Sequence, residues 1–281
     1  REKERIGGGV REHEATIAYQ LQNAEILNGF VYKGAMKHPL VSKREALFTK
    51  SITEVLQEAA LACSYSGNKY FGHWLRDDLT LYLGVETLAT PITISHTLTN
   101  HQQQYSNLLN IHPLGVNRVK CNNLIIIRDV GQNKYKRERY EKIRDKLKSL
   151  YPPSSKKGAM FLRKSSGSKR LLINEEEIAK FLEKQGFAIL DPETMSVEEM
   201  LRQALGVKIV IGVEGSQLMH GLYAMAGDGV EIALQPPDRF NNVHKDLTDC
   251  LGMQYGFLVG YQEDEGFKVD LGELEEILNR V

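Results

Sequence analysis

Residues 207–234 read VKIVIGVEGSQLMHGLYAMAGDGVEIAL. In this stretch an apolar strand runs into Gly212 and Gly215, a helix is predicted to begin at Ser216, and a second apolar strand follows. A short helix between two apolar strands is typical of a βαβ unit, in which the strands are parallel. Residues 207–234 therefore predict an α/β fold with a parallel sheet.

The same alternation of strands and helices continues on both sides of this stretch. The neighbouring predicted elements are a strand at 158–164, helices at 174–187 and 196–206, a short strand at 188–190, a helix at 241–252 and a strand at 254–262. Two prolines open the segment PPSSKK at Pro152, which is the best linker candidate. We therefore predict a doubly wound C-terminal half over residues 152–281 and an N-terminal half over residues 1–151.

The N-terminal half has a less regular pattern. Short apolar runs broken by turn residues predict a β element over residues 14–40. Apolar positions at helical spacing predict a helix over residues 51–63. Further predicted elements are a strand at 91–96, a helix at 99–111, a strand at 119–129 and a helix at 134–151.

Composition excludes several classes of protein. The 281 residues carry 36 Lys and Arg against 36 Asp and Glu, so no global positive field favours nucleic acid. No apolar run reaches the roughly 20 residues of a membrane helix. Isolated thiols at Cys63, Cys121 and Cys250 predict neither a disulfide framework nor a zinc site, and a reducing, cytoplasmic compartment fits them. The chain begins with Arg1, so we expect residues before it.

The glycine turn after the strand at 207–213 is a candidate anion site. Glycines allow the backbone to approach a ligand, and the first N–H groups of a helix favour negative charge. Ser216 and Gln217 would add side-chain donors, and Glu231, predicted to end the next strand, could accept hydrogen bonds from ribose hydroxyls. Ordinary helix capping by a glycine-serine turn explains the same residues without a ligand.

A second candidate segment is FLRKSSGSKRLLINEEE, residues 161–177. Arg163 ends a predicted strand, and Arg170 precedes a helix whose predicted N-cap is Asn174. The planar guanidinium fork of Arg suits bidentate recognition of phosphate. A basic loop in water is the alternative interpretation of this segment.

The third candidate segment is YFGHWLRDDL, residues 70–79. If the segment is helical, His73 and Asp77 share one face because they lie four residues apart. Asp77 could be a general base oriented by His73, and Asp78 is the second candidate for that role. A buried His satisfied by a nearby Asp is the alternative interpretation.

Taken in this order, the three segments resemble glycosyltransferase family 61 over residues 70–260. The family motif of a His followed four residues later by an Asp is matched by His73 and Asp77. Its arginine motif is matched at four positions: Arg163, Arg170, Asn174 and Glu175. Its glycine motif often reads G-x-H-G-A-G-L, and here GVEGSQL stands at residues 212–218, with Glu214 in place of the His.

The resemblance implies a GT-B-like architecture, with two Rossmann-like halves around a cleft. It implies an inverting, metal-independent transfer of a hexosyl or pentosyl group from a nucleotide sugar, UDP-linked or similar, to a glycan acceptor, as in bacterial capsular polysaccharide synthesis. Residues 1–151 would form the acceptor side and residues 152–281 the donor side. No cofactor is implied beyond the nucleotide-sugar substrate. With no metal ion to neutralise the leaving diphosphate, Arg163, Arg170 and the predicted helix terminus at Ser216 would do so.

Two other functions remain open. GSQLMHGL, residues 215–222, partly echoes a segment of polysaccharide pyruvyltransferases, and His220 would then be a site residue. The fold could also belong to an inactive binding protein in which Glu214 marks a degraded phosphate site. Contact with the inner surface of a membrane through the basic helix at 134–148 is a further expectation, weakened by the acids Glu138 and Glu141.

Overall fold

The computed structural model describes residues 2–7, 11–42, 51–163 and 170–281. The chain divides into two compact units. We call Glu12–Arg139 the N-terminal unit, and Arg1–Arg11 with Tyr140–Val281 the C-terminal unit. The division thus falls before the predicted boundary at residue 151. The loop between Arg163 and Arg170 lies outside the described residues.

The strands of the described residues are, in chain order, β1 (Ile17–Leu27), β2 (Phe30–Lys33), β3 (Met36–Pro39), β4 (Glu54–Leu61), β5 (Thr90–Ile94), β6 (Leu114–Val116), β7 (Arg118–Arg128), β8 (Gly158–Phe161), β9 (Phe187–Leu190), β10 (Ile209–Val213), β11 (Val230–Gln235), β12 (Gln254–Val259), β13 (Tyr261–Glu263) and β14 (Gly266–Lys268). The α-helices are α1 (Glu2–Ile6), α2 (Tyr65–Lys69), α3 (Phe71–His73), α4 (Leu79–Val85), α5 (Asn100–Leu109), α6 (Lys134–Leu150), α7 (Glu175–Lys184), α8 (Val197–Ala204), α9 (Leu218–Ala224), α10 (Val243–Leu251) and α11 (Leu271–Leu278), and a π-helical turn, Trp74–Asp78, joins α3 to α4.

The N-terminal unit is built on a mixed sheet with the strand order β3-β2-β1-β7-β4-β5-β6. The β1, β2 and β3 strands form an antiparallel meander, and β1 also pairs antiparallel with β7. The four strands β7, β4, β5 and β6 are parallel. The β element predicted over residues 14–40 is therefore confirmed, and it extends a parallel sheet.

The helix predicted over residues 51–63 is wrong, because this segment contains strand β4 in the middle of the sheet. Ala59 and Leu61 pack into one hydrophobic cluster, whereas Ala60 and Ala62 pack into another. A strand buried on both faces lacks the polar–apolar alternation that distinguishes a strand from a helix. Pairing with β5 and β7 decides the structure of this segment.

The C-terminal unit contains the predicted parallel sheet. Its strand order is β12-β11-β10-β8-β9, and every pairing in it is parallel. The chain leaves β8 toward one edge of the sheet, to β9, and then returns to β10 on the other side of β8. The carboxyl ends of β8 and β10 therefore lie at the point where the strand order reverses, which is where open α/β sheets bind ligands.

Residues from the chain's N-terminus complete the C-terminal unit. Arg5 of α1 is buried, and its guanidinium Nε donates to the buried carboxylate of Asp246 in α10 at 3.0 Å. Glu2 accepts a hydrogen bond from the backbone N–H of Asn242 at 2.7 Å. Arg11 also pairs with Asp246 at 2.7 Å. These contacts explain why residues 1–11 belong to this unit.

Two features of the helices bear on function. No helix among the described residues is both long enough and apolar enough to cross a bilayer. In α6, the basic residues Lys136, Arg139 and Arg144 are buried, so their charges do not reach a membrane surface. The predicted membrane contact of this helix therefore rests on fewer charges than the sequence suggested.

Candidate functional site

In the C-terminal unit, the carboxyl ends of β8 and β10 bring the predicted arginine and glycine motifs together. Phe161 and Gly212 are register partners in these neighbouring parallel strands, so the residues that follow each strand emerge at the same edge. Arg163 follows β8, and Glu214 and Gly215 follow β10. The glycine turn thus lies at the switch point of the sheet.

Both predicted guanidiniums converge on Gly215. A Cβ atom built on Gly215 would lie 2.5 Å from Nη1 of Arg163 and 3.2 Å from Nη1 of Arg170. It would also lie 2.6 Å from the side-chain oxygen of Gln217. The absence of a side chain at Gly215 therefore lets two positive groups approach one backbone position, as recognition of a multiply charged anion requires.

Arg170 is held in place by Glu214. Nη1 of Arg170 donates to the backbone oxygen of Glu214 at 2.7 Å and to Oε2 of the same residue at 2.8 Å. The other carboxylate oxygen of Glu214 accepts a hydrogen bond from Nδ2 of Asn241 at 3.0 Å. The glutamate that replaces the His of the family motif is therefore a buried, paired anchor for Arg170.

Arg163 is fixed through its backbone and lies among other positive charges. Its backbone N–H donates to Oε1 of Glu175 at 2.8 Å. Burial lowers the pKa of the Arg163 side chain, and the positive charges of Arg170 and Arg239 lower it further. Arg239 is exposed in the turn that follows β11. Glu214 and Glu175 offset part of this repulsion, and an anion placed among the three guanidiniums would offset more of it.

Several other residues predicted for this site have structural roles. The buried side chain of Asn174 exchanges hydrogen bonds with the backbone of Val269, donating at 2.8 Å and accepting at 3.1 Å. A Cβ on Gly212 would lie 2.8 Å from the backbone oxygen of Phe161, so that glycine allows close strand packing. Gln217 donates from Nε2 to the backbone oxygen of Val213, and Ser216 is exposed beside it.

Two sequence predictions about this region are wrong. Glu231 does not end a strand: it is the second residue of β11, pairs in register with Val210, and is fully buried with Oε1 2.8 Å from Nδ1 of His244. It therefore lies at the opposite end of the sheet from Gly215. The helix α9 begins at Leu218 rather than Ser216 and has seven residues, so its dipole adds little to an anion site.

His220, the residue singled out by the pyruvyltransferase alternative, lies in α9. It is buried, and its ring stacks on Phe161 with centroids 6.0 Å apart. His220 therefore packs against β8 as a residue of the helix face, whereas the pyruvyltransferase alternative would make it a site residue.

In the N-terminal unit, His73 directly precedes the π-helical turn Trp74–Asp78, and Asp77 lies within that turn. π-Helical turns are rare in proteins, and many of those that occur lie at functional sites. Nδ1 of His73 lies 2.9 Å from Oδ2 of Asp77. The other carboxylate oxygen of Asp77 accepts from Nζ of Lys136 at 2.8 Å. The predicted pair is therefore formed, and the structure adds a buried lysine to it.

The carboxylate of Asp77 is surrounded by positive groups. Burial acts to raise its pKa, but Lys136, His73 and Arg76 together lower the pKa well below the usual range of an aspartate. Nε and Nη2 of Arg76 donate to the same carboxylate, at 3.0 and 2.7 Å. A carboxylate with so low a proton affinity is a weak general base.

Nδ1 of His73 has two neighbours with opposite hydrogen-bonding requirements. Nδ1 lies near both Oδ2 of Asp77 and Nη2 of Arg76, the second at 2.6 Å, and it cannot donate to one and accept from the other at once. In one tautomer Nδ1 donates to the carboxylate of Asp77, and in the other it accepts from the guanidinium of Arg76. In the first tautomer the other ring nitrogen, Nε2, carries the lone pair.

Asp78 has a different environment from its neighbour Asp77. It is buried, its Oδ1 accepts from Ser64 N and Oγ at 3.1 and 2.8 Å, and its Oδ2 has no hydrogen-bond partner among the described residues. Burial raises the pKa of Asp78 well above the ordinary value of 3.8. A Cβ on Gly67 would lie 2.1 Å from Oδ2, so that glycine makes room for the carboxyl group.

This environment predicts a pH-dependent cost in stability. The folded protein holds the Asp78 proton to higher pH than the unfolded chain does, so the free energy of unfolding falls as the pH rises above about 4, by at most about 1.4 kcal/mol per pH unit. We expect Asp78→Asn to remove this fall. Urea unfolding between pH 4 and 8 measures it, with the exposed Asp145→Asn as the control; parallel profiles for wild type and Asp78→Asn would contradict the expectation.

Sequence reasoning missed four residues of these sites. Lys136 and Arg139 lie on α6, which the sequence marked only as a basic helix, yet the Lys136 side chain is fully buried and Arg139 pairs with Asp129 at 2.7 Å. Asn241 and Arg239 lie in the loop after β11. No local motif marks any of them, and the partners of Lys136 and Asn241 lie 59 and 27 positions away.

Comparison with known proteins bears on the chain as a whole. The family model described as Glycosyltransferase 61 matches residues 71–230, which include the His73–Asp77 pair, both arginines and the glycine turn. No curated protein matches the chain. Because the match extends over more than half of the 281 residues, the chain belongs to glycosyltransferase family 61, and its activity is that of a glycosyltransferase.

Proposed function

We propose that this glycosyltransferase transfers a sugar from a UDP-linked donor to a hydroxyl of a glycan acceptor, with inversion at the anomeric carbon and without a metal ion. The observation that carries the proposal is the convergence of Arg163 and Arg170 on Gly215 at the switch point of the parallel sheet. In a GT-B-like enzyme the C-terminal unit would bind the donor and the N-terminal unit the acceptor. Synthesis of a bacterial capsule or another surface polysaccharide is the process that we propose for it.

On the donor side, fixed positive charge would stabilise the leaving diphosphate. Arg163 and Arg170 are the groups that we propose to bind it, and Arg239 adds a third positive charge at the same edge. Because Glu214 holds the Arg170 side chain, that group is oriented before the nucleotide arrives. Preorganised charge of this kind lowers the barrier as negative charge develops on the leaving group.

On the acceptor side, we propose His73 as the general base and Asp77 as the residue that positions it. This reverses the roles predicted from the sequence. The acceptor oxygen would attack the anomeric carbon as the bond to the nucleotide diphosphate breaks, and its proton would pass to Nε2 of His73. Asp77 would hold the Nδ1 proton and stabilise the imidazolium that forms, as the carboxylate of a catalytic triad does.

The donor site is tested by nucleotide binding. We expect Arg163→Met to weaken UDP binding roughly ten- to hundredfold, because a hydrogen bond to a charged group contributes about 1.5–3 kcal/mol. The substitution keeps the backbone bond to Glu175, so the fold should persist. Titration calorimetry measures the affinity, and Arg202→Met, which removes an exposed ion pair with Glu198, should leave it unchanged.

Gly215→Ala provides a second test at the same position. Its added methyl group would meet the ends of the Arg163 and Gln217 side chains, which can move aside, so we expect a folded protein with weakened UDP binding. If neither UDP, GDP nor CMP binds to the unaltered protein, the donor-site proposal is wrong.

A further inference from the structure

A cavity lies within the N-terminal unit, at the carboxyl ends of its parallel strands. Its volume is about 510 Å³, within the range of small-molecule sites. Ala62 follows β4 and Ser95 follows β5, and both residues line it. Ligands of open α/β sheets bind beyond the carboxyl ends of parallel strands. The cavity therefore occupies a position suited to a ligand, and we call it the Asp78 cavity.

The Asp78 cavity contains a buried carboxyl oxygen without a hydrogen-bond partner among the described residues. Asp78 lines it and is only 4% exposed, and its Oδ2 has no hydrogen-bond partner among the described residues. Leaving a buried polar atom without a partner destabilises the fold. A ligand that forms a hydrogen bond with this oxygen would remove that cost.

The lining of the cavity combines aromatic and neutral polar side chains. Trp74, from the π-helical turn, and Tyr82, from α4, supply aromatic rings. His96 and His112 are exposed residues of the lining, and Nδ1 of His96 donates to the backbone oxygen of Ile94 at 2.7 Å, which leaves Nε2 as its acceptor in the neutral ring. Such a mixture suits a ligand with apolar faces and many hydroxyl groups.

The charge of the lining favours binding of a sugar over binding of a nucleotide. The described lining residues include no Lys or Arg, and Asp78 is acidic. A phosphate or diphosphate group would therefore find no fixed positive partner here, in contrast to Arg163 and Arg170 near Gly215. A neutral polyhydroxylated ring is the class of ligand that this chemistry favours.

We propose that the Asp78 cavity binds a neutral pyranose unit of the acceptor glycan, with Oδ2 of Asp78 hydrogen-bonded to one of its hydroxyls. This inference rests on the proposed function, because it assigns the acceptor of that reaction to this cavity. The His73–Asp77 pair and the residues Trp74 and Asp78 belong to adjoining positions of one helical segment. The segment that carries the base thus also carries part of the acceptor site.

The chain contains one tryptophan, Trp74, and this residue lines the cavity, so its fluorescence reports binding directly. The probes are the methyl glycosides of glucose, galactose, xylose and N-acetylglucosamine, each titrated to high millimolar concentration. We expect at least one of them to change the Trp74 emission saturably. We expect Asp78→Asn to weaken that binding at least tenfold, and His112→Ala, at an exposed position, to weaken it several-fold. Asp145→Asn is the matched control and should change nothing.

Parallel titrations with UDP separate this inference from the proposed function. If UDP binds and no glycoside changes the emission, or if both Asp78→Asn and His112→Ala bind the glycoside as well as wild type does, the assignment of the cavity is wrong and the donor site stands. If the glycosides bind as expected and UDP does not, the donor site is wrong and the cavity stands as a sugar site.

Discussion

Replacing His73 with Gln will lower kcat by about 10²–10⁴, the usual contribution of a general base, while UDP binding stays unchanged. The reason is that Asp77, the partner of His73, has a lowered pKa and is a poor proton acceptor. Each oxygen of the Asp77 carboxylate already accepts hydrogen bonds from Arg76 or Lys136, and these charges lower its pKa. The His73 side chain is 37% exposed, so in this pair the imidazole is the group open to a substrate proton.

The alternative, in which Asp77 is the base, makes a different prediction. His73→Gln would then keep much of the activity, because a Gln can still donate a hydrogen bond to the carboxylate. Steady-state kinetics with a labelled nucleotide sugar distinguishes the two. A second measurement is chemical rescue: imidazole in the buffer should restore part of the rate to His73→Gly and none to Asp77→Asn. Rescue of neither variant, together with high activity in His73→Gln, would contradict the assignment.

Replacing Lys136 with Met will destabilise the N-terminal unit by about 3 kcal/mol, as removal of one partner of a buried ion pair does. The side chain of Lys136 is fully buried, with Nζ 2.8 Å from Oδ1 of Asp77 and 3.7 Å from Oδ2 of Asp129. Without Lys136, the negative charge of Asp77 is balanced only by Arg76 and the contact with His73. The backbone oxygen of Asp129 also loses its hydrogen bond from Lys136, at 3.0 Å. The pKa of Asp77 should rise at the same time.

Urea unfolding followed by Trp74 fluorescence measures this effect, since the single tryptophan lies in the N-terminal unit. Lys142→Met, on the same helix but outside its buried positions, is the control and should shift the free energy by no more than about 0.5 kcal/mol. In the double variant Lys136→Met, Asp77→Asn, part of the lost stability should return because the uncompensated charge is gone. Equal midpoints for Lys136→Met and Lys142→Met would contradict the burial of this charge.

The sequence predicted the C-terminal unit well because each of its elements carries its own signal. Amphipathic helices such as α7 and α8 alternate with short apolar strands, and parallel pairing follows from that alternation. The C-terminal hairpin β13–β14 and the helix α11 were not predicted. For β4 the prediction failed because its residues are buried on both faces, and pairing within the sheet outweighed the helical spacing.

The candidate sites were predictable only where residues stand in short motifs. His73, Asp77, Arg163, Arg170 and Gly215 could be found in this way. The residues that hold these side chains in place could not be found from the sequence. Lys136 lies 59 positions from Asp77, and Asn241 lies 27 positions from Glu214, so only the folded chain brings each pair together. The burial of Glu231 was likewise not visible, because its place along β11 depends on where that strand begins.

The contribution of residues 1–11 to the C-terminal unit has a consequence for how the protein is made. Arg5 and Asp246 are separated by 241 positions, so the ribosome synthesises the first long before its partner. The N-terminal unit, which ends at Arg139, can emerge and close while translation continues. The C-terminal unit can be completed only after α10 has been synthesised, when Arg5 meets Asp246, and a contact between residues so far apart in the sequence makes that step slow.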